Sequence, residues 1–209
     1  MIHMKDNLFP SFDNQEICWV QTFATRIQYL PPGDILEFGA GSGRSAMMIA
    51  QVNPERKIFT FDHFQGLEQT KKSIPEGSGW EEGAFRLGHP DLSHWPQNAE
   101  EFKQYIKEKK NIVLNIEDIH QLKDPSDYDI GLIVAVNIDV DIYEPCVSAL
   151  RFIDRCEWSK ILLRFDDWHG GEPAYDEHER LACWEWLHRT QYRFSILENG
   201  SASCLIVSR

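Results

Sequence analysis

Short apolar runs alternate along this chain with stretches in which apolar and charged residues mix at helical spacing. The runs predict strands from Asp34 to Phe38, Lys57 to Asp62, Asn111 to Ile116, Ile130 to Asp139 and Lys160 to Phe165. Helices are predicted from Gln15 to Tyr29, Ser42 to Gln51, Glu144 to Cys156 and Asp176 to Thr190. Ser42 stands where a hydroxyl can cap a helix, and Val147, Leu150, Ile153 and Asp154 recur at helical intervals with one polar member. Strand-helix alternation of this kind predicts a doubly wound, mostly parallel α/β sheet, because parallel neighbours need crossovers and helices then cover both faces.

The end of the chain has a different pattern. QYRFSILE and ASCLIVS flank Asn199-Gly200, a pair that supplies the positive backbone angles of a tight turn, so an antiparallel hairpin should close a seven-stranded sheet. Residues Gln65 to Asn98 break the alternation with Gly66, Gly77, Gly79, Gly83, Gly88, Pro75, Pro90 and Pro96, yet Trp80, Phe85 and Trp95 make them too aromatic for a plain linker. A lid or substrate wall is expected there, inserted within a single domain spanning residues 1–209.

With 209 residues, 42% of them hydrophobic, the chain can bury one substantial core. Twenty-one Lys and Arg against 33 Asp and Glu leave a formal charge of −12, which opposes a nucleic-acid partner and favours a small or uncharged substrate. Cys18, Cys146, Cys156, Cys183 and Cys204 are odd in number and never paired as C-x-x-C. Neither a disulfide framework nor a zinc ribbon is indicated, and a cytoplasmic location is expected. MIHMKDNLFPSFDNQ lacks the apolar core of a signal peptide and no segment is long enough to span a bilayer, so no membrane partner is expected.

In ILEFGAGSGRSA a predicted strand enters Gly39, Gly41 and Gly43, and a predicted helix leaves. Glycines permit the sharp turn, and a helix start offers free N–H groups to a carboxylate or phosphate. The dinucleotide fingerprint wants its third glycine one residue later, where Arg44 stands. Asp62 closes the next strand, where an acid can accept both hydroxyls of a ribose, so turn and acid together suit an adenosine cofactor. An NAD(P)-dependent oxidoreductase and a noncatalytic adenosine-cofactor-binding protein share these features.

Asp139 with Asp141, and Asp166 with Asp167, stand where the runs GLIVAVNI and KILLRF end. One such pair reads as a solvated strand end. Two pairs on adjacent strands would converge on one sheet edge and repel unless protonated or shared with a cation. Oxygen-only ligands suit Mg2+, with Ca2+ or Mn2+ as alternatives. His178 and His188 on the last predicted helix read as structural, as do Trp184, Trp186 and Leu187.

The order of elements, the glycine turn, Glu37, Asp62 and the Glu117-Asp118-Ile119 segment resemble the S-adenosylmethionine motifs of class I methyltransferases, a Rossmann-like fold. NIDVDIYEP and LLRFDDWHGG are similar to the metal-binding segments of the macrocin O-methyltransferase-like group and, more distantly, of catechol and caffeoyl-coenzyme A O-methyltransferases. The likeness extends from the glycine turn to DEHERLACWEWL. It implies S-adenosyl-L-methionine as cofactor, Mg2+-assisted O-methyl transfer to a small hydroxylated molecule of specialised metabolism, and a homodimer. It also implies roles: Gly39, Gly41 and Gly43 beside the methionine portion, with Glu37 at the strand end, Asp62 at the ribose, and Asp118 with Ile119 at the adenine. Asp139, Asp166 and Asp167 would hold the metal, and Asp141 would lie beside the substrate. Catechol-type enzymes place a catalytic lysine three residues after the first metal aspartate; Ile142 stands there in this chain. His169 is then the first candidate to accept the proton, with Asp141 or Asp139 behind it.

Overall fold

The computed structural model describes residues 14–88, 96–107, 109–169 and 176–209. Seven strands form one sheet in the order β3-β2-β1-β4-β5-β7-β6: β1 Asp34–Phe38, β2 Ile58–Phe61, β3 Ile112–Asn115, β4 Ile133–Ile138, β5 Lys160–Phe165, β6 Arg193–Asn199 and β7 Ser203–Ser208. β1 to β5 are parallel, and β7 runs antiparallel to both β5 and β6. The central strands are buried on both faces, which is why they read as unbroken apolar runs. Leu36 and Phe38 point into the core with α4 (Tyr143–Arg155) and α5 (Glu179–Thr190), while Ile35 joins α1 (Asn14–Ile27) and α2 (Arg44–Val52) on the other side. Among the described residues no helix is long and apolar enough to cross a membrane.

One buried row of the sheet is polar. Thr60, Glu37, Asn137 and Arg164 are register neighbours across β2, β1, β4 and β5, and each is almost wholly buried. Glu37 Oε1 accepts from Asn137 Nδ2 at 3.1 Å, and Arg164 Nη1 donates to Asn137 Oδ1 at 2.7 Å. Glu37, Asn137 and Arg164 are thus linked in a chain, while the Thr60 hydroxyl at its end has no hydrogen-bond partner among the described residues.

Four expectations need correction. α2 starts at Arg44 behind Gly43, whose φ of 79° and bond to the Ala40 carbonyl close the turn through backbone alone, so Ser42 does not cap it. A helix absent from the sequence reading, α3 (Ala99–Ile106), is capped by Asn98, which accepts the Glu100 and Glu101 N–H groups. At the hairpin neither Asn199 nor Gly200 takes a positive φ. Asn199 instead pairs with Ser203 as part of β6, so a three-residue connection replaces the tight turn, and its side chain accepts from Trp168 Nε1 at 2.8 Å. α5 begins at Glu179 rather than Asp176.

The insertion is docked rather than loose between residues 65 and 88; Pro90 and Trp95 lie outside the described residues. Glu144 of α4 accepts from Thr70 Oγ1 at 2.8 Å and from the Lys71 N–H at 3.1 Å. Buried His178 bonds the Ser73 carbonyl through Nε2 at 2.9 Å, and Trp80 packs edge-on against its ring. At the far side of the sheet, edge strand β6 exposes Phe194, Ile196 and Leu197 and carries a bulge between Ile196 and Glu198.

Candidate active site

A cavity of about 440 Å³ opens above the carboxyl ends of the parallel strands, walled by the glycine turn, the ends of β2 to β5, and Trp80 and Phe85 of the insertion. Open parallel sheets present ligand sites at this edge, because successive strands end there and their loops diverge.

The glycines are not equivalent. At Gly39 (φ 84°) a Cβ would sit 1.6 Å from the Asp139 carbonyl oxygen, so the end of β1 lies directly against the end of β4. Gly41 (φ 48°) has nothing within 4 Å of its missing Cβ and faces open space. Gly43 does not line the cavity; its Cβ would strike the Phe102 ring of α3 at 2.6 Å, which makes it a packing residue.

Asp62 ties the turn to β2. Its Oδ2 accepts the Gly41 N–H at 2.8 Å and its Oδ1 the Phe64 N–H at 2.6 Å. Burial pushes its pKa up and these backbone donors hold it down. A carboxylate has about four acceptor sites, so capacity for a ribose remains. Glu37 lies outside the cavity, wholly buried in β1. Burial pushes it up to about 7, against the pull of Ser45, Asn137 and Arg164. Asp118 and Ile119 do border the cavity, Asp118 also capping a short turn by accepting the His120 N–H at 2.9 Å.

β4 and β5 are in register at Ile138 and Phe165, and the Asp166 N–H still bonds the Ile138 carbonyl at 3.0 Å, so the next residues emerge side by side. Asp139, Asp166 and Asp167 each offer an oxygen, and these oxygens all lie within 4.8 Å of one another. Burial first and mutual repulsion second raise Asp139 well above the ordinary carboxyl range; Asp167 is raised likewise by burial and by Asp141. Asp141 lies in the same wall, at φ 60° in a three-residue turn closed by the Ile142 N–H on the Val140 carbonyl at 2.6 Å. Burial first, and the charges of Asp139 and Glu179 after it, raise Asp141 well above the ordinary carboxyl range.

Sequence reasoning overlooked three groups here. Arg164 reaches Asp166 from the buried row and balances part of the acid charge. Glu179 accepts backbone N–H groups from both acidic loops. His120 lines the cavity and bonds Glu68 of the insertion at 2.8 Å and Ser148 at 2.7 Å. Glu179 and His120 act through long-range contacts that no local spacing announces, whereas Arg164 lies only two residues before Asp166. His169 does not line the cavity: its Nδ1 meets Arg180 Nη1 at 3.0 Å, outside the acid cluster.

No protein-family model and no curated protein matches the chain. Among solved structures it is similar to the calicheamicin methyltransferase CalS11, with a TM-score of 0.67 and 19% identity over 92% of this chain and 78% of that one. The O-methyltransferase NovP gives 0.65 and 15% over 93% and 79%. An apo structure of CalS11, named a TDP-rhamnose 3'-O-methyltransferase of calicheamicin biosynthesis, gives 0.59 and 20% over 93% and 81%. At these identities the likeness shows a shared fold, a mostly parallel, Rossmann-like seven-stranded sheet closed by an antiparallel hairpin.

Proposed function

We propose that the protein transfers a methyl group from S-adenosylmethionine to a hydroxyl of a small molecule, with a divalent cation held by Asp139, Asp166 and Asp167. One observation carries the reading. A single cavity joins a turn and acid suited to an adenosine cofactor with three carboxylate oxygens within 4.8 Å of one another. The donors fit a hard cation: all are oxygens, and among the described residues three carboxyls gather there against one guanidinium, Arg164 on Asp166. Mg2+ is the ion such a set suits, and the likeness of these segments to the macrocin O-methyltransferase-like group agrees.

When bound, the cation would lower the pKa of the acceptor hydroxyl and fix its oxygen near the sulfonium methyl, leaving little barrier beyond positioning. The chain supplies the rest. Gly39 to Gly41 border the methionine portion, Asp62 offers its remaining acceptor sites to the ribose, and Asp118 with Ile119 flanks the adenine. Trp80 and Phe85 cover the acceptor end against water. Asp141 lines the cavity but stands outside the three-donor set, so it, rather than His169, takes the acceptor proton. That CalS11 and NovP are named as methyltransferases, NovP and the apo form of CalS11 explicitly for oxygen, supports a hydroxylated acceptor.

Titration calorimetry with S-adenosylhomocysteine, S-adenosylmethionine and NADH, with and without Mg2+, tests the reading. Both sulfur nucleosides are expected to bind and NADH to give no heat. Tight NADH binding with silence from the other two would sink it.

A further inference from the structure

α5 opens on Glu179, a carboxylate with no exposed surface. Its Oε1 accepts the Val140 N–H at 2.9 Å and its Oε2 accepts the Asp167 N–H at 3.2 Å. Val140 sits between Asp139 and Asp141, so one side chain takes a backbone donor from each acid-bearing loop. β4 ends at Ile138 and β5 at Phe165; the last ladder bond between these ends joins Asp166 N to the Ile138 carbonyl. Beyond it the sheet no longer sets the distance between the two loops.

We propose that Glu179 is a positioning residue whose carboxylate bridges the two acidic loops and sets the spacing of the Asp139, Asp166 and Asp167 oxygens for the cation. The inference rests on the metal-assisted reading given above. Three features support it. The brace stands on a firm base, since Cys183, Trp186 and Leu187 fix α5 in the core. The Val140 N–H belongs to the loop that holds Asp141 at positive φ, a conformation that persists only where surrounding bonds over-determine it. Ligand distances must hold within about 0.2 Å for a metal site to keep its affinity, so a lost brace costs binding before it costs the fold.

Glu179→Gln separates bridging from bulk. The amide keeps size and shape but retains one acceptor oxygen, so one of the two N–H groups would face a donor. Mn2+ affinity of the whole chain, read by calorimetry, is expected to weaken about 10- to 100-fold, with S-adenosylhomocysteine affinity and cooperative melting retained. Glu179→Asp, which keeps the charge but withdraws it by one methylene, should weaken Mn2+ in the same direction and serves if the glutamine variant does not fold. Unaltered Mn2+ affinity in the folded variants overturns the inference while leaving the metal reading intact. Parallel loss of Mn2+, nucleoside binding and melting would reduce Glu179 to a structural group and overturn it equally. A wild-type chain that binds no Mn2+ at all overturns both.

Discussion

Gly39 and Gly41 stand two residues apart in one turn, and their surroundings predict opposite results. Gly39→Ala drives a methyl into the Asp139 carbonyl, backbone against backbone, and should cost several kcal/mol or abolish folding, on the order of the largest single-site effects. Gly41→Ala meets open space and carries only the left-handed backbone penalty of about 1–2 kcal/mol, so it should fold and melt somewhat lower. Its methyl projects into the cavity, and nucleoside affinity should fall more than stability does. Glu37 makes a pH prediction. Its carboxyl titrates near 4.5 in the open chain and about 7 in the fold, so between those values the folded protein holds the extra proton and stability drops as pH rises. Glu37→Gln should flatten that slope and raise stability at pH 8 by a few kcal/mol in order of magnitude, as melting at pH 5 and pH 8 would reveal. A slope identical to wild type would refute it. At this scale the acid cluster was legible as a cluster: Asp139, Asp166 and Asp167 converge because strand ends in register deliver them together. The sequence hid their supports: Glu179 is given meaning only by Val140 and Asp167, remote in sequence, and Arg164, though two residues from Asp166, sits inside an apolar run where its bond to Asn137 of the next strand could not be read.

Elements were legible where burial imposes a simple pattern. β1 and β5 match their predicted limits because both faces of each are covered, and continuous apolar runs follow. α3 was missed because Phe102 and Ile106 are its only fully covered positions amid charge, yet Asn98 with Glu101 three residues on is a helix-start signature. Asn98→Ala should cost about 1 kcal/mol in global melting, and more than a substitution at exposed Lys103. The hairpin was evident from alternation, whereas its connection was not, because Asn199 serves Trp168 instead of the turn. From α4, Glu144 receives both Thr70 and Lys71 of the insertion. Glu144→Ala is therefore expected to speed amide exchange across residues 66–88 with little change in melting temperature. Unchanged exchange there would mean that His178 and Trp80 suffice to hold the wall.

For the molecule as a whole, the acid cluster sets stability against ligand. Anything that binds only the folded state raises its stability by mass action, about 2.7 kcal/mol at a hundredfold excess over Kd. Mg2+ should accordingly raise the melting temperature of the wild type and leave Asp166→Ala with Asp167→Ala unmoved. In chelator the double variant should melt below the wild type, because Asp166→Ala strips the buried Arg164 guanidinium of its carboxylate. Equal Mg2+ shifts in both proteins would refute the assignment. Beyond the site, the chain carries a formal charge of −12 and ends its sheet on β6, where Phe194, Ile196 and Leu197 meet water. Mutual repulsion of the copies is what shields that apolar border in concentrated samples, and salt cancels it once the screening length contracts to about 8 Å near physiological ionic strength. The protein should therefore lose colloidal stability on salting where most acidic proteins tolerate it, with light scattering climbing as NaCl is added and subsiding on dilution.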